Sequence, residues 1–411
     1  MPAPNNNRIE YNSQQLLTTI KGFTHEAIDL RHQLHRNPEL KYEEVETAEL
    51  VTKELERYGY EVKTGIGKTG VTALLDSGRP GPVVALRADL DALPICEQTG
   101  LDYSSKNPGK MHACGHDGHT ATLLLVARVL KEHVGLLPCG AIKFIFQPAE
   151  EGGAGAYAMI QEGVLESPKV DAIFGYHNFP GTELGHVIVR SGCFMAGANM
   201  FKVTVTGKGG HAAYPEACID PVVAAAALIQ NTQSIISRNI SSGEQGIISI
   251  TQLNAGTAHN VIADDVELQG TIRATSPKAM DYLIERFESV VKHSVATFGA
   301  EASIEYTLDP PYPPTMNHPK ESELVHQVAK ESLGENRVHW LDGVSSMGGE
   351  DFAFYLQEVP GCYFGVGNGM SSPSLHNGHY DYSDEILADA CQLLCHTAIA
   401  YIQENAATYS N

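Results

Sequence analysis

The chain has 411 residues, 43% of them hydrophobic and 19% charged, which is more than one core usually organises and predicts two domains. Its 28 basic against 49 acidic side chains give a formal charge of -21, which argues against nucleic acid or an anionic membrane as a partner. The amino-terminal Met-Pro-Ala-Pro-Asn-Asn-Asn-Arg lacks the apolar core of a secretory signal, and no apolar run could span a bilayer, so a soluble cytoplasmic protein is expected.

Apolar residues recur at helical spacing from Gln14 to Arg36 and from Tyr42 to Tyr58, with Asn37-Pro38 breaking the run, so two helices open the chain. Pro82 to Asp89, Ala141 to Gln147 and Asp171 to His177 are short apolar runs rich in branched or aromatic residues and read as buried strands. Between the first two, Thr120 to Val134 is apolar on nearly every face, as a helix packed on a sheet would be. Strands alternating with helices predict an α/β sheet.

After Arg190 the pattern changes. Phe201 to Thr206 alternates as a strand, followed by a helix over Asp220 to Ser237, strands over Gly246 to Leu253 and Val266 to Ala274, a helix over Pro277 to Phe298 and a strand over Ala302 to Leu308. This β-α-β-β-α-β order fits a ferredoxin-like unit. Pro310-Pro311-Tyr312-Pro313-Pro314 marks its exit, and helix and strand alternate again afterwards, so the smaller domain, 191–308, is expected as an insertion into a larger one formed by 1–190 and 309–411.

The densest chemical signal is Met111-His112-Ala113-Cys114-Gly115-His116-Asp117-Gly118-His119, just ahead of the helix expected from Thr120. A position before a helix N-terminus favours anions, so Cys114 is expected as a thiolate, and thiolate with imidazole suits zinc and related ions. Gln147-Pro148-Ala149-Glu150-Glu151-Gly152-Gly153 ends the second strand, where open α/β sheets place ligands. Tyr176-His177-Asn178 ends the third, Leu375-His376-Asn377 follows a glycine-rich strand region, and Asp89 ends the first. Either histidine alone reads as structural, and a lone Cys-x-His as a polar loop; together these segments bring metal-ligand chemistry to one sheet edge. The other seven of the eight cysteines read mostly as small buried hydrophobes.

These residues resemble the two-metal aminoacylase and carboxypeptidase family, in the branch of hippurate hydrolases and plant auxin-conjugate amidohydrolases. The resemblance runs along essentially the whole chain, through Arg31-His32-Gln33-Leu34-His35-Arg36-Asn37-Pro38-Glu39-Leu40, Arg87 to Pro94, Met111 to His119, Gln147 to Glu151, Gly348-Gly349-Glu350-Asp351-Phe352 and Leu375-His376-Asn377. It implies a metallopeptidase-type catalytic domain, a central mixed sheet flanked by helices, with an inserted α+β dimerisation or lid domain. It implies hydrolysis of N-acyl amino acids with two divalent metal ions, zinc or manganese, with cobalt or nickel as further candidates, in a homodimer or higher homo-oligomer.

By position, Cys114 corresponds to the bridging ligand, His116 and His177 complete one metal, Glu151 and His376 the other, and Glu150 is the catalytic base. The family's His-x-Asp is here Arg87-Ala88-Asp89, so His116 replaces the missing histidine and Asp89 orients a ligand. His112, Asp117 and His119 are supporting or structural. Gly349 and Gly378 stand where many members have serine and proline. By spacing alone His211, in Gly207-Lys208-Gly209-Gly210-His211, reads as a histidine in a polar turn; the resemblance instead makes it an oxyanion stabiliser reaching the neighbouring subunit's active site. Asn260 and Arg273 match positions that bind the substrate's polar end, a guanidinium being suited to a carboxylate. The rival readings are a dipeptidase or aminopeptidase of the same family, a cysteine amidase using Cys114, and a non-enzymatic metal-binding protein. The cysteine amidase leaves Glu150, Glu151, His177 and His376 without a role, and the binding protein leaves Glu150 without one.

Overall fold

In a computed structural model of the chain, residues 7–342 and 346–409 are described. Contacts divide the chain into two compact units: Met1–Phe194, Met316–Val344 and Phe354–Asn411 form the first, and Met195–Thr315 with Ser345–Ala353 the second. The second unit's main segment extends past residue 308 because Ala198 and Tyr312 exchange both backbone hydrogen bonds, each 2.9 Å. Ser346 joins the same unit, its carbonyl accepting from the Ala196 amide at 2.9 Å.

The first unit is built on an eight-stranded mixed sheet in the order Val62–Ile66, Gly70–Asp76, Ala141–Gln147, Val83–Asp89, Ala172–Pro180, Gly361–Gly369, Val187–Val189 and Val338–Trp340. The four central strands, from Ala141–Gln147 to Gly361–Gly369, run parallel. Every residue of Val83–Asp89 and Ala141–Gln147 is buried, the mark of strands covered on both faces, and their near-continuous apolar runs are why the sequence showed them. Parallel strands bring their carboxyl ends to a single edge. Asp89 pairs with Gln147 there, and His177 pairs with Gly365.

The helix expected from Thr120 starts earlier, spanning His116–Glu132, so that His116, Asp117 and His119 form its first turn. Leu123, Leu124 and Val126 are fully buried, and truncating any such leucine to alanine costs about 2–5 kcal/mol. Helices Asn7–Arg36 and Leu387–Asn405 join the same apolar core. The third strand does not stop at His177 but continues to Pro180, so that histidine sits within the strand. Among the described residues no helix is long and apolar enough to cross a membrane.

The second unit holds a four-stranded antiparallel sheet in the order Gly246–Ala255, Asp265–Ala274, Gly197–Thr206, Glu301–Tyr306. Helices Pro221–Ser234 and Pro277–Ala296 bury Leu228, Leu283, Phe287 and Val291 in its core. Asp220 caps the first helix by accepting from the Val222 and Val223 amides, and Ser276 caps the second through the Ala279 amide. In chain order these elements run β-α-β-β-α-β.

One glycine tests how tightly the metal-loop helix is seated. A Cβ at Gly118 would fall 2.4 Å from the Tyr382 ring. Alanine normally gains about 1 kcal/mol over glycine in a helix, but overpacking costs about 1–3 kcal/mol and should win here. Gly118→Ala is therefore expected to lower the urea midpoint, and an unchanged or raised midpoint would show that the Tyr382 ring yields freely.

Candidate metal centre

Cys114, His116, Glu150, Glu151, His177 and His376 all come together in the first unit at the carboxyl edge of the parallel strands. Cys114, His116 and His177 each offer a ligand atom within 4.8 Å of one another, and so do Cys114, Glu151 and His376. Cys114 belongs to both groups, which is the arrangement a bridging ligand requires. Its Sγ is 3.4 Å from His177 Nε2, and Glu151 Oε1 is 3.1 Å from His376 Nε2.

Backbone geometry sets these side chains. Gly115 adopts φ 92, and a Cβ there would fall 2.3 Å from Asn178 Oδ1, so only glycine links Cys114 to the helix. Ala149 at φ 54 and His376 at φ 59 are non-glycine residues in the left-handed region, a strain that clusters at functional sites. The His376 amide donates to the Ala113 carbonyl at 2.8 Å, which ties the loop of the last ligand directly to the Cys114 loop.

A fit to cations follows from what these buried groups lack. His116 Nε2 and Glu151 Oε1 are buried without a hydrogen-bond partner, and His376 Nε2 approaches that Glu151 oxygen to 3.1 Å as an ion-pair contact. His116 Nδ1 meets the Asp91 carbonyl oxygen at 2.8 Å, which leaves Nε2 as the free ligand atom. Two further donor groups that lie wholly within the first unit are less suited. Asp89–His116–His119 is already committed, because Asp89 accepts from Arg87 Nη1 and pairs with His119 Nδ1, each at 2.7 Å, while His119 Nε2 faces Asn178 Oδ1. His116–Glu150–Glu151 draws on one member of each of the two Cys114 groups.

Without a cation at the site, the surroundings of Cys114 oppose the thiolate that the helix N-terminus favours. Burial, then Glu151, Glu150 and Asp89, push its thiol well above the usual value, because four unfavourable influences outweigh one helix end. Burial also holds His177 neutral, well below its ordinary pKa, with His119 adding to the effect. A thiol pushed up beside an imidazole pushed down is not the ion pair a cysteine nucleophile needs, which argues against the amidase rival. Burial opposes protonation of His116, but Asp89, Asp91 and Glu151 overcome it and raise its pKa to about 10. Glu151 is lowered against the effect of burial by His376 and His116. Divalent cations would replace the protons on Cys114 and His116 as the charge that balances these carboxylates.

Supporting residues sort by contact. Asp89 is held well below the carboxylate range, since His116, His119 and Arg87 outweigh its burial. Arg87 occupies the position of the missing histidine; a guanidinium cannot bind a cation, and it neutralises Asp89 instead. Burial pushes His112 down to about 4. Sequence reasoning missed Asp91, whose two oxygens accept from the Glu150 and Glu151 amides at 3.0 and 2.9 Å. Its signal was the i, i+2 spacing from Asp89 at a strand end.

His211, Asn260 and Arg273 lie in the second unit. His211 is exposed on a two-residue strand pairing with Val261–Ile262, and the neighbouring Ala212 amide donates to the Asn260 carbonyl at 3.0 Å. Arg273, on the four-stranded sheet, donates from Nε to Thr271 Oγ1 at 3.0 Å.

A family model described as Peptidase family M20/M25/M40 matches residues 85–400, more than half of the chain. An IAA-amino acid hydrolase of Arabidopsis thaliana is 41% identical over 93% of this chain and 88% of its own. A hippurate hydrolase of Campylobacter jejuni is 37% identical over 94% of this chain and all of its own. The crystal structure of a Bacillus subtilis dinuclear metal-binding peptidase superposes with a TM-score of 0.77 at 35% identity, covering 93% of this chain and 99% of that one. With a dinuclear relative and two donor groups sharing Cys114, the site is one for two divalent cations.

Two outcomes test the donor set. Because ligands must lose their protons, loading the apoprotein near neutral pH should release about two, from Cys114 and His116, and binding should tighten as pH rises. Calorimetry in buffers of different ionisation enthalpy measures this, and no proton release would contradict the assignment. Cys114→Ala should weaken both metals together, whereas Cys391→Ala should cost packing energy alone; two normal binding events in the Cys114 variant would exclude a bridging role.

Proposed function

The chain belongs to peptidase family M20/M25/M40, and from that premise we propose that it hydrolyses the amide bond of N-acyl amino acids, giving a carboxylic acid and a free amino acid. The observation that carries the reading is Glu150 beside two donor groups that share Cys114. When bound, two divalent cations lower the pKa of a water and polarise the amide carbonyl. Cys114, His116 and His177 would hold one and Cys114, Glu151 and His376 the other. A thiolate with imidazoles favours zinc, and the carboxylate also admits manganese.

Glu150 takes the proton from the attacking water and delivers it to the departing nitrogen. Its backbone amide and that of Glu151 share the Asp91 carboxylate, so base and ligand keep a fixed relation. Arg273 and Asn260 bind the carboxylate end of the substrate, and His211 stabilises the oxyanion from a partner subunit. The exposure of His211 supports that role, as do the exposed apolar side chains Tyr214, Val222, Val223 and Val261 on the same unit, which suit a homodimer contact. Eight free cysteines fit a reducing, cytoplasmic location.

Glu150→Ala should keep close to the native metal content and lose roughly a hundred- to ten-thousand-fold in kcat. Loss of metal in that variant would make Glu150 a ligand and remove it as the base. His211→Ala and Glu150→Ala subunits, inactive alone, should complement when co-expressed, because one site of the mixed dimer joins an intact Glu150 to the partner's intact His211. About a quarter of wild-type activity is expected from random pairing. A confirmed heterodimer with no activity would place His211 in its own subunit's site or in none.

A further inference from the structure

The segment Arg31 to Leu40 is part of the family resemblance, yet none of its residues enters the metal site or the proposed chemistry. The Arg31 side chain is fully buried. Its Nη1 donates to Asp117 Oδ2 at 3.1 Å and to Asp381 Oδ1 at 3.0 Å, and its Nε donates to Asp384 Oδ1 at 2.5 Å. The guanidinium also lies 4.8 Å from the Tyr103 ring centroid, and Tyr103 Oη donates to Asp381 Oδ2 at 2.7 Å. His35 supports the same carboxylate from the next helical turn, its Nδ1 lying 2.8 Å from Asp117 Oδ2 and its Nε2 3.3 Å from Glu97 Oε1.

These carboxylates stand on two segments that each carry a metal-ligand candidate. Asp117 directly follows His116 in the first turn of its helix. Asp381 and Asp384 lie on the segment that follows His376, between that residue and helix Leu387–Asn405. Next to Cys114 the two segments are joined by a backbone hydrogen bond, His376 amide to Ala113 carbonyl, and further along by the Tyr382 ring against Gly118 and His119. Arg31 adds a charged link, with the planar fork to hold carboxylates from both sides at once.

We propose that Arg31 is a positioning residue for the two-metal site, fixing the His116 helix to the segment after His376 so that ligands of both cations keep one geometry. This rests on the ligand assignment above. Lysine retains the charge but not the fork, so it can serve one segment or the other and not both. Supporting groups around metal ligands change affinity or activity by about 10- to 100-fold when removed.

The test uses Arg31→Lys, Arg31→Ala and the milder Asp381→Asn, each compared with wild type and with Cys114→Ala. Stepwise zinc or manganese titration of each apoprotein, its thermal unfolding without metal, and kcat and KM after metal loading are measured. Arg31→Lys should remain folded, bind metal about 10- to 100-fold more weakly and lose kcat with little change in KM. Asp381→Asn should move the same way by less, and added guanidinium should partly restore metal affinity to Arg31→Ala. If the Arg31 variants melt earlier but bind both metals and turn over normally, the residue only stabilises the fold and the proposal is overturned. If Cys114→Ala also binds two metals normally, the ligand assignment has failed, and the proposal falls with it for that separate reason.

Discussion

Four carboxylates and a thiol, those of Asp89, Asp91, Glu150, Glu151 and Cys114, are gathered at the carboxyl edge of a parallel sheet, mostly out of contact with water. Like charges buried together cost several kcal/mol per uncompensated ion, so the rest of the first unit is organised around supplying positive charge. Arg87 meets Asp89 directly, imidazoles take up protons, and two cations can take their place. Each consequence follows from that deficit: the thiol pushed up, His116 pushed up, and Asp89 held down by its cationic neighbours.

The scaffold that permits this is the parallel sheet itself. Its central strands end together, so Asp89, the Glu150–Glu151 turn, His177 and the loop after Gly361–Gly369 converge from segments far apart in sequence. Left-handed backbone at Ala149 and His376 aims side chains that a relaxed turn would point elsewhere, and the surrounding contacts hold that strain in place. Asp91 fixes the turn carrying Glu150 and Glu151, which separates a ligand from a neighbouring proton carrier within one dipeptide.

The second unit follows a different logic. Its antiparallel sheet has helices and a core of its own, so its order could be read from strand alternation and the helical stretches between the strands. His211 was ambiguous by spacing because a histidine flanked by glycines is as much at home in a polar turn. The structure finds it exposed beside Asn260 on a short paired ribbon, an arrangement that only pairing of Gly210–His211 with Val261–Ile262 produces.

By itself the sequence determined the α/β class, the strands that end at the site, and the residue types able to bind metal, because buried parallel strands and clustered His, Cys and Glu leave local patterns. It misplaced the start of the metal-loop helix by a turn, since polar His116, Asp117 and His119 do not look like buried helical residues until their partners are known. It did not show the groups that oppose a Cys114 thiolate when no cation is bound, because a helix end is local whereas Glu150, Glu151 and Asp89 arrive from other strands. Only the tertiary structure decided the roles of Asp91, Arg87 and Arg31. Their partners lie dozens to hundreds of residues away or depend on which side of a strand they face, and charge compensation in a buried site is set by distance in space.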